Sequence, residues 1–134
     1  MHSEHRGFSL IELLIALTIL GILLAVSYPS YQQHVLRSYR SEAKTDLLLL
    51  ANALEQYRAD NGSYSDNFTE LDRPALSESG RYKFTITLSE AGQAFVAKAD
   101  ALGLQTADTE CRQFSVNHYG QHNVRSSSPV TCWH

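Results

Sequence analysis

Residues Phe8 to Val26 read FSLIELLIALTILGILLAV. The run is 19 residues long, carries one charge, Glu12, and holds seven Leu and four Ile. At about −0.3 to −0.6 kcal/mol for each Leu or Ile, these side chains contribute roughly −3 to −7 kcal/mol to insertion. A carboxylate deep in the bilayer opposes this by about 3 kcal/mol, and by less near a helix end. Insertion is therefore favoured with Glu12 in place. The length is about the least that crosses a hydrocarbon core.

Three readings of this run compete. Ala25-Val26-Ser27 has the small-x-small pattern of a signal-peptidase site, which favours a removable export signal. Such signals have an apolar core of about 7–15 residues, and this run is longer and holds a carboxylate. A plain membrane anchor explains the length and leaves Glu12 without a purpose. The third reading makes Glu12 functional, the default for an ionisable residue inside a membrane. Flanking charge does not set the orientation: Arg6, His2 and His5 precede the run, and Arg37, Arg40 and Lys44 follow it.

Helical periodicity continues past the apolar run. Leu36, Tyr39, Ala43, Leu47, Leu50, Leu54 and Tyr57 are spaced 3, 4, 4, 3, 4, 3, one face of an amphipathic helix. Arg37, Arg40 and Lys44 form a basic stripe beside it, expected to be a solvated face rather than a partner contact. Leu48 and Leu49 widen the apolar zone, so the helix should be covered on more than one side there. Asn61-Gly62 is a stop signal, and Pro29 should kink or loosen the helix nearby. Phe8 to Ala59, 52 residues, would be about 78 Å long as a helix. No domain of this size buries such a helix alone, so lipid or other subunits must cover about half of it.

Residues 63–80 are polar, contain Pro74 and few apolar anchors, and read as a connecting loop. From Arg81 to Leu88 the chain alternates, with Tyr82, Phe84, Ile86 and Leu88 on one face, as a half-buried antiparallel strand does. Ser89 to Gly92 is a turn. Gln93 to Ala99 is the return strand, and Arg112 to Asn117 is a third. The apolar face of this meander needs a cover, and the helix face at Leu47, Leu50 and Leu54 is available. The fold class is α+β: a long N-terminal helix on a small antiparallel sheet of three to four strands.

The chain has 134 residues, 11 of them basic and 14 acidic, for a net charge of −3. That length suits one domain, and the balance excludes a strongly basic nucleic-acid coat. Cys111 and Cys132, with 20 residues between them, favour a disulfide in a membrane-tethered, exported head. The alternative is a reduced pair in a cytosolic protein, which the anchor argues against. Six His, at 2, 5, 34, 118, 122 and 134, raise a metal site. His118 and His122 are four apart, but Tyr119-Gly120 between them marks a turn, and no Cys or carboxylate is suitably placed. No metal or cofactor is expected. The chain has no nucleophile-elbow pattern and no phosphate-binding glycine loop, so no enzyme is expected either.

The start of the chain, Arg6-Gly7-Phe8-Ser9-Leu10-Ile11-Glu12, resembles the class III signal of type IV pilins. There a basic leader ending in Gly precedes Phe, and Glu is the fifth residue after the cut. Gly21 and Pro29 match the family's helix-loosening positions. Tyr57 followed by Asn61-Gly62-Ser63-Tyr64 is similar to the end of the pilin helix. Cys111 and Cys132, with Thr131-Cys132-Trp133 at the close, look most like the minor pilins of the PilE kind. The leader differs from the family pattern in having a single Arg and an acid, Glu4.

The resemblance implies a leader over residues 1–7, a transmembrane and filament-core half-helix over 8–29, and a periplasmic head over 30–134. It implies that a prepilin peptidase cuts between Gly7 and Phe8 on the cytoplasmic side and that the new Phe8 amine is methylated. The subunit then waits in the inner membrane and is extracted into a filament by an assembly platform. Glu12 would pair with the N-terminal amine of a neighbouring pilin, a strong interaction at low dielectric that disfavours wrong registers. A minor pilin in pilus assembly or initiation is the first expectation. A major pilin and a type II secretion pseudopilin follow, the last because the C-terminal disulfide fits it less well. A DNA-receptor minor pilin is a separate class. Residues 66–110 hold eight acids and four bases, while 111–134 hold Arg112 and Arg125 and no acid. That split favours chance over a DNA groove.

Overall fold

The computed structural model describes residues 7–123 and 126–134. Leader residues 1–6 and Arg125 of the basic C-terminal end lie outside the described residues. The chain falls into two compact units, one ending at Val35 and one from Leu36 to His134.

In the first unit, helix α1 (Leu10–Asn61) begins where the apolar run begins. Every large apolar side chain from Phe8 to Val26 is more than 50% exposed. The most apolar 18-residue window has a mean hydropathy of 2.6 and none of it is buried by this chain. A surface of that composition requires lipid or other protein around it. α1 is helical through both Gly21 and Pro29. At Pro29 the ring removes one backbone donor, which weakens the helical ladder locally.

The second unit is built as the periodicity predicts. Ala43, Leu47, Leu50 and Leu54 of α1 are buried in one core with the sheet. The sheet has three antiparallel strands, β1 (Tyr82–Ser89), β2 (Ala94–Ala101) and β3 (Gln113–Asn117), in the order β1-β2-β3. Phe84 pairs with Ala99 and Ile86 with Ala97. The same alanines meet Phe114 and Val116 on the other side. Small residues on the middle strand thus lie between large partners, and the sheet face stays even enough for a helix to seat on it.

The loop over 63–80 is better anchored than its composition suggests. Tyr64 and Leu71 are buried, and Phe68 packs against the core. The Tyr64 ring meets Phe95 edge-on at 4.8 Å, and its hydroxyl donates to Glu55 at 2.7 Å. Tyr57 and Ser65 both donate to Glu70. The loop also pairs with β1 through the Leu76–Lys83 bridge. Tyr64, Phe68 and Leu71 together pin the loop, and the Tyr64 hydroxyl finds a partner that sequence spacing does not reveal.

Gly62, at φ +84°, ends α1 by donating its N–H to the Arg58 carbonyl at 2.7 Å, the left-handed cap expected at Asn61-Gly62. The Cys111–Cys132 disulfide ties the C-terminal 3₁₀ segment (Val130–Trp133) to the approach to β3.

Candidate assembly surface

The predicted residues divide between the units. Gly7, Phe8, Glu12, Gly21 and Pro29 belong to the first, and the two cysteines to the second. Phe8 is 83% exposed, and a Cβ added at Gly7 or Gly21 would meet nothing within 4 Å. Neither glycine is needed for packing within this chain. Any requirement for them comes from outside it.

Glu12 has a partner that the apolar run conceals. The Ser9 N–H donates to the Glu12 carboxylate at 2.7 Å, and the Glu12 N–H donates to Ser9 Oγ at 3.3 Å. The Ser9 carbonyl accepts the first helical bond, from Leu13. This is a capping box, Ser-x-x-Glu, in which two otherwise unpaired helix-end donors are satisfied reciprocally. The four-residue pattern is visible in the sequence. The carboxylate also faces the positive end of the helix dipole, which lowers the cost of a charge there.

In the second unit two of the three cations of the basic stripe, Arg40 and Lys44, are engaged by the head rather than solvated. Arg40 makes a two-pronged ion pair with Asp108, at 2.5 and 2.6 Å, and the Asp108 side chain is only 2% exposed. Hydrogen bonding to Asp108 holds the Arg40 guanidinium above its ordinary value, against the opposing effect of burial. Lys44 donates to the Trp133 carbonyl at 3.4 Å. Arg37 remains exposed as expected. The correction has a plain cause: the partners lie 68 and 89 residues away, beyond any local pattern. Gln105, fully buried, completes this fastening. Its amide donates to the Leu36 carbonyl at 3.1 Å and to the Tyr82 hydroxyl at 3.0 Å. Burial pushes the Tyr82 phenol up to about 12, with Gln105 pulling the other way.

The C-terminal end is held by a polar relay. Asn123 Oδ1 accepts from the Ser115 N–H at 2.9 Å and from the Trp133 indole at 2.8 Å. Trp133 packs edge-on against Phe114 and stacks on His122 at 3.8 Å. The His118 and Tyr119 rings meet at 3.9 Å in a tilted arrangement, and the Gly120 N–H to Asn117 carbonyl bond closes the turn expected there.

Asp46 on α1 titrates above its ordinary range. Burial is the first cause, Glu42 and Glu78 add to it, and Arg73 opposes it. A raised carboxyl favours the protonated form in the folded state, so the charged form costs stability above the folded value. That cost fades as pH falls through the folded value and is absent below the unfolded value near 3.8. Asp46→Asn is therefore expected to raise the melting temperature at pH 7 by about 2 °C, with no gain at pH 3. Thermal unfolding at the two pH values checks this.

Comparisons with known proteins agree with the geometry. Residues 3–28 match the model of the prokaryotic N-terminal methylation motif. Residues 29–115 match a model described as "Type IV minor pilin ComP, DNA uptake sequence receptor". The type IV major pilin protein PilA of Myxococcus xanthus is 36% identical over 81% of this chain and 48% of its own length. A type IV major pilin protein PilE1 of Neisseria gonorrhoeae is 29% identical over 98% of this chain and 62% of its own. The chain thus spans about half to three fifths of the length of these relatives. A solved type IV pilin from Shewanella oneidensis is similar with a TM-score of 0.57 and 25% identity, over 74% of this chain and 98% of that one.

Proposed function

The chain belongs to the type IV pilin family, and from that premise we propose that it is a minor pilin that takes part in assembling or initiating the pilus. It is a structural subunit and not an enzyme. The observation that carries the finer reading is the minor-pilin model matched from residue 29 to 115, which runs from within α1 into β3. In this reading a prepilin peptidase removes residues 1–7, the Phe8 amine is methylated, and α1 holds the subunit in the inner membrane with its head in the periplasm. The assembly platform then moves it into the filament, where Glu12 pairs with the amine of a neighbouring pilin. Gly21 and Pro29 loosen the helix for that transfer. Counting copies in sheared filaments tests the assignment. A minor pilin is expected at well under one copy per ten subunits, and a count near one to one makes it the major pilin.

A second reading has support from the same match, whose description names a DNA-uptake receptor. Lys83 of β1 and Lys98 of β2 lie on the sheet face opposite α1, beside Thr85 and Thr87. As phosphate contacts, two lysines set a salt slope of about −2. DNA binding by the full-length protein in micelles, measured from low to high salt, decides. A receptor loses that slope in Lys83→Gln/Lys98→Gln, and an assembly subunit shows no saturable binding.

A further inference from the structure

Two tyrosines, Tyr28 and Tyr31, stand just past the apolar run. They are 64% and 67% exposed and three residues apart, so they are neighbours on the surface of α1. Gln32 Nε2 donates to the Tyr28 hydroxyl at 2.9 Å, which leaves that O–H able to donate elsewhere. Below the pair lie the exposed apolar side chains that end at Val26, and above it Gln32, Gln33 and His34 are polar and exposed. The polarity of the helix surface therefore reverses at the tyrosines.

Two further features place a membrane boundary at this level. The first is length. A hydrocarbon core takes about 20 helical residues. Counted from the cap at Ser9 that span ends at Pro29, and counted from Glu12 it ends at Gln32. The second is Pro29 itself. Its ring nitrogen carries no hydrogen, so the Ala25 carbonyl has no helical donor four residues on. Lipid tails offer that carbonyl no hydrogen bond, whereas water and headgroups at the boundary do. Deeper in the run the one hydroxyl is already satisfied, since Thr18 Oγ1 donates to the Leu14 carbonyl at 2.8 Å.

We propose that Tyr28 and Tyr31 form an interfacial anchor that docks α1 into the phospholipid headgroup layer, with the rings against the upper acyl chains and the hydroxyls toward ester carbonyls and phosphates. This rests on the reading of α1 as membrane-spanning and deepens it. Lipid is the occupant because the pair continues an apolar surface of mean hydropathy 2.6, none of it buried by this chain. Tyrosine suits the level, since its ring is apolar and its tip is polar. The anchor also sets depth. α1 is continuous from Leu10 to Asn61, so holding it at Tyr28 and Tyr31 fixes the level of Glu12 near the opposite face. The run has little length to spare, and a slide of one turn, about 5 Å, would carry Glu12 into the tails or out into water.

The test reads depth with the full-length chain in phospholipid vesicles, using lipids brominated either near the headgroup or near the chain ends as fluorescence quenchers. Trp133 is the sole tryptophan, so Trp133→Phe removes the background. In that chain Tyr31→Trp should be quenched at least about twofold more strongly by the shallow bromines than by the deep ones, and Leu20→Trp should show the reverse order. A tryptophan at position 31 that is unquenched, or quenched equally or more by the deep bromines, overturns the anchor. The second measurement adds Tyr28→Ala and Tyr31→Ala to the Leu20→Trp chain. Any slide from the mid-plane brings position 20 nearer the shallow bromines, so its deep-to-shallow quenching ratio should fall at least about twofold. An unchanged ratio shows that the tyrosines do not set depth and overturns the proposal. If neither lipid quenches Leu20→Trp, the membrane-spanning reading fails and the anchor with it. If the deep bromines quench Leu20→Trp and the tyrosine results miss, only the anchor fails.

Discussion

Reducing the Cys111–Cys132 disulfide is expected to lower the stability of the head by about 3 kcal/mol and its melting temperature by more than about 10 °C. The loss comes from chain entropy, because the bond closes a loop between residues 21 apart in sequence. Individual hydrogen bonds rather than a regular element restrain the rest of that loop, among them Gln113 N–H to Ser128 Oγ at 3.0 Å, Ser127 N–H to Gln113 Oε1 at 3.0 Å and Asn123 N–H to the Ser115 carbonyl at 2.8 Å. Past β3 the described residues make one isolated bridge, between Val116 and His122, and then the short 3₁₀ segment. What remains after reduction is the Asn123 relay, the bonds of Ser127 and Ser128 to Gln113, the Trp133 contacts and the Lys44 bond to the Trp133 carbonyl. Each such bond contributes about 1 kcal/mol, while the freed residues regain roughly 1–2 kcal/mol of backbone entropy apiece. The C-terminal segment should therefore detach first. Amide exchange at Cys132 and His134 should accelerate, while Phe84 and Ala99 on the β1–β2 pair keep their protection until global unfolding. Denaturation of the full-length chain in micelles, with and without reductant, measures the shift. An unchanged midpoint, or full thiol labelling of the native protein without denaturant, would sink this account.

The sequence carried the fold wherever one period governs many neighbouring residues. Leu47, Leu50 and Leu54 announce a buried helix face, and Tyr82 to Leu88 announces a half-buried strand. Both lie where predicted, within two residues at most ends. Single long-range pairings had no such signal. Arg40 looks like one more exposed cation until Asp108 arrives from 68 residues away. Gln105 carries no burial pattern in sequence yet is fully buried, its amide NH2 donating to the helix carbonyl at Leu36 and to the Tyr82 hydroxyl. Residues 63–80 form a loop as expected, but its anchoring had no signal for a related reason: the Tyr57, Ser65 and Glu70 bonds depend on how the loop folds back on α1. The candidate site residues divide in the same way. The stretch Gly7 to Glu12 is legible as a contiguous string, while the groove between α1 and the sheet is lined by three separate segments.

Replacing Glu12 by Leu should leave insertion and leader removal unchanged and lower the share of this chain in filaments at least tenfold. Insertion does not need the carboxylate, since its removal makes the segment more apolar by about 3 kcal/mol. The structure adds a rival explanation, because Glu12 also closes the capping box with Ser9. Losing a cap costs about 1 kcal/mol of helix stability and would fray the first turn. Glu12→Gln separates the two roles. Glutamine serves as well as glutamate at this position of a capping box, yet it carries no charge to offer a neighbour's amine. If docking is ionic, Glu12→Gln should fail nearly as badly as Glu12→Leu, since stranding a buried charge without its partner costs about 2–5 kcal/mol. Glu12→Asp keeps the charge with one methylene less reach and should fall between the wild type and these two. Ser9→Ala, which removes only the cap hydroxyl, should incorporate within a fewfold of normal. The readout is the ratio of this chain in sheared filaments to its level in the membrane fraction, together with the number of filaments per cell. Normal incorporation of Glu12→Gln would show that the carboxylate is a helix cap and that the filament selects its register by other means.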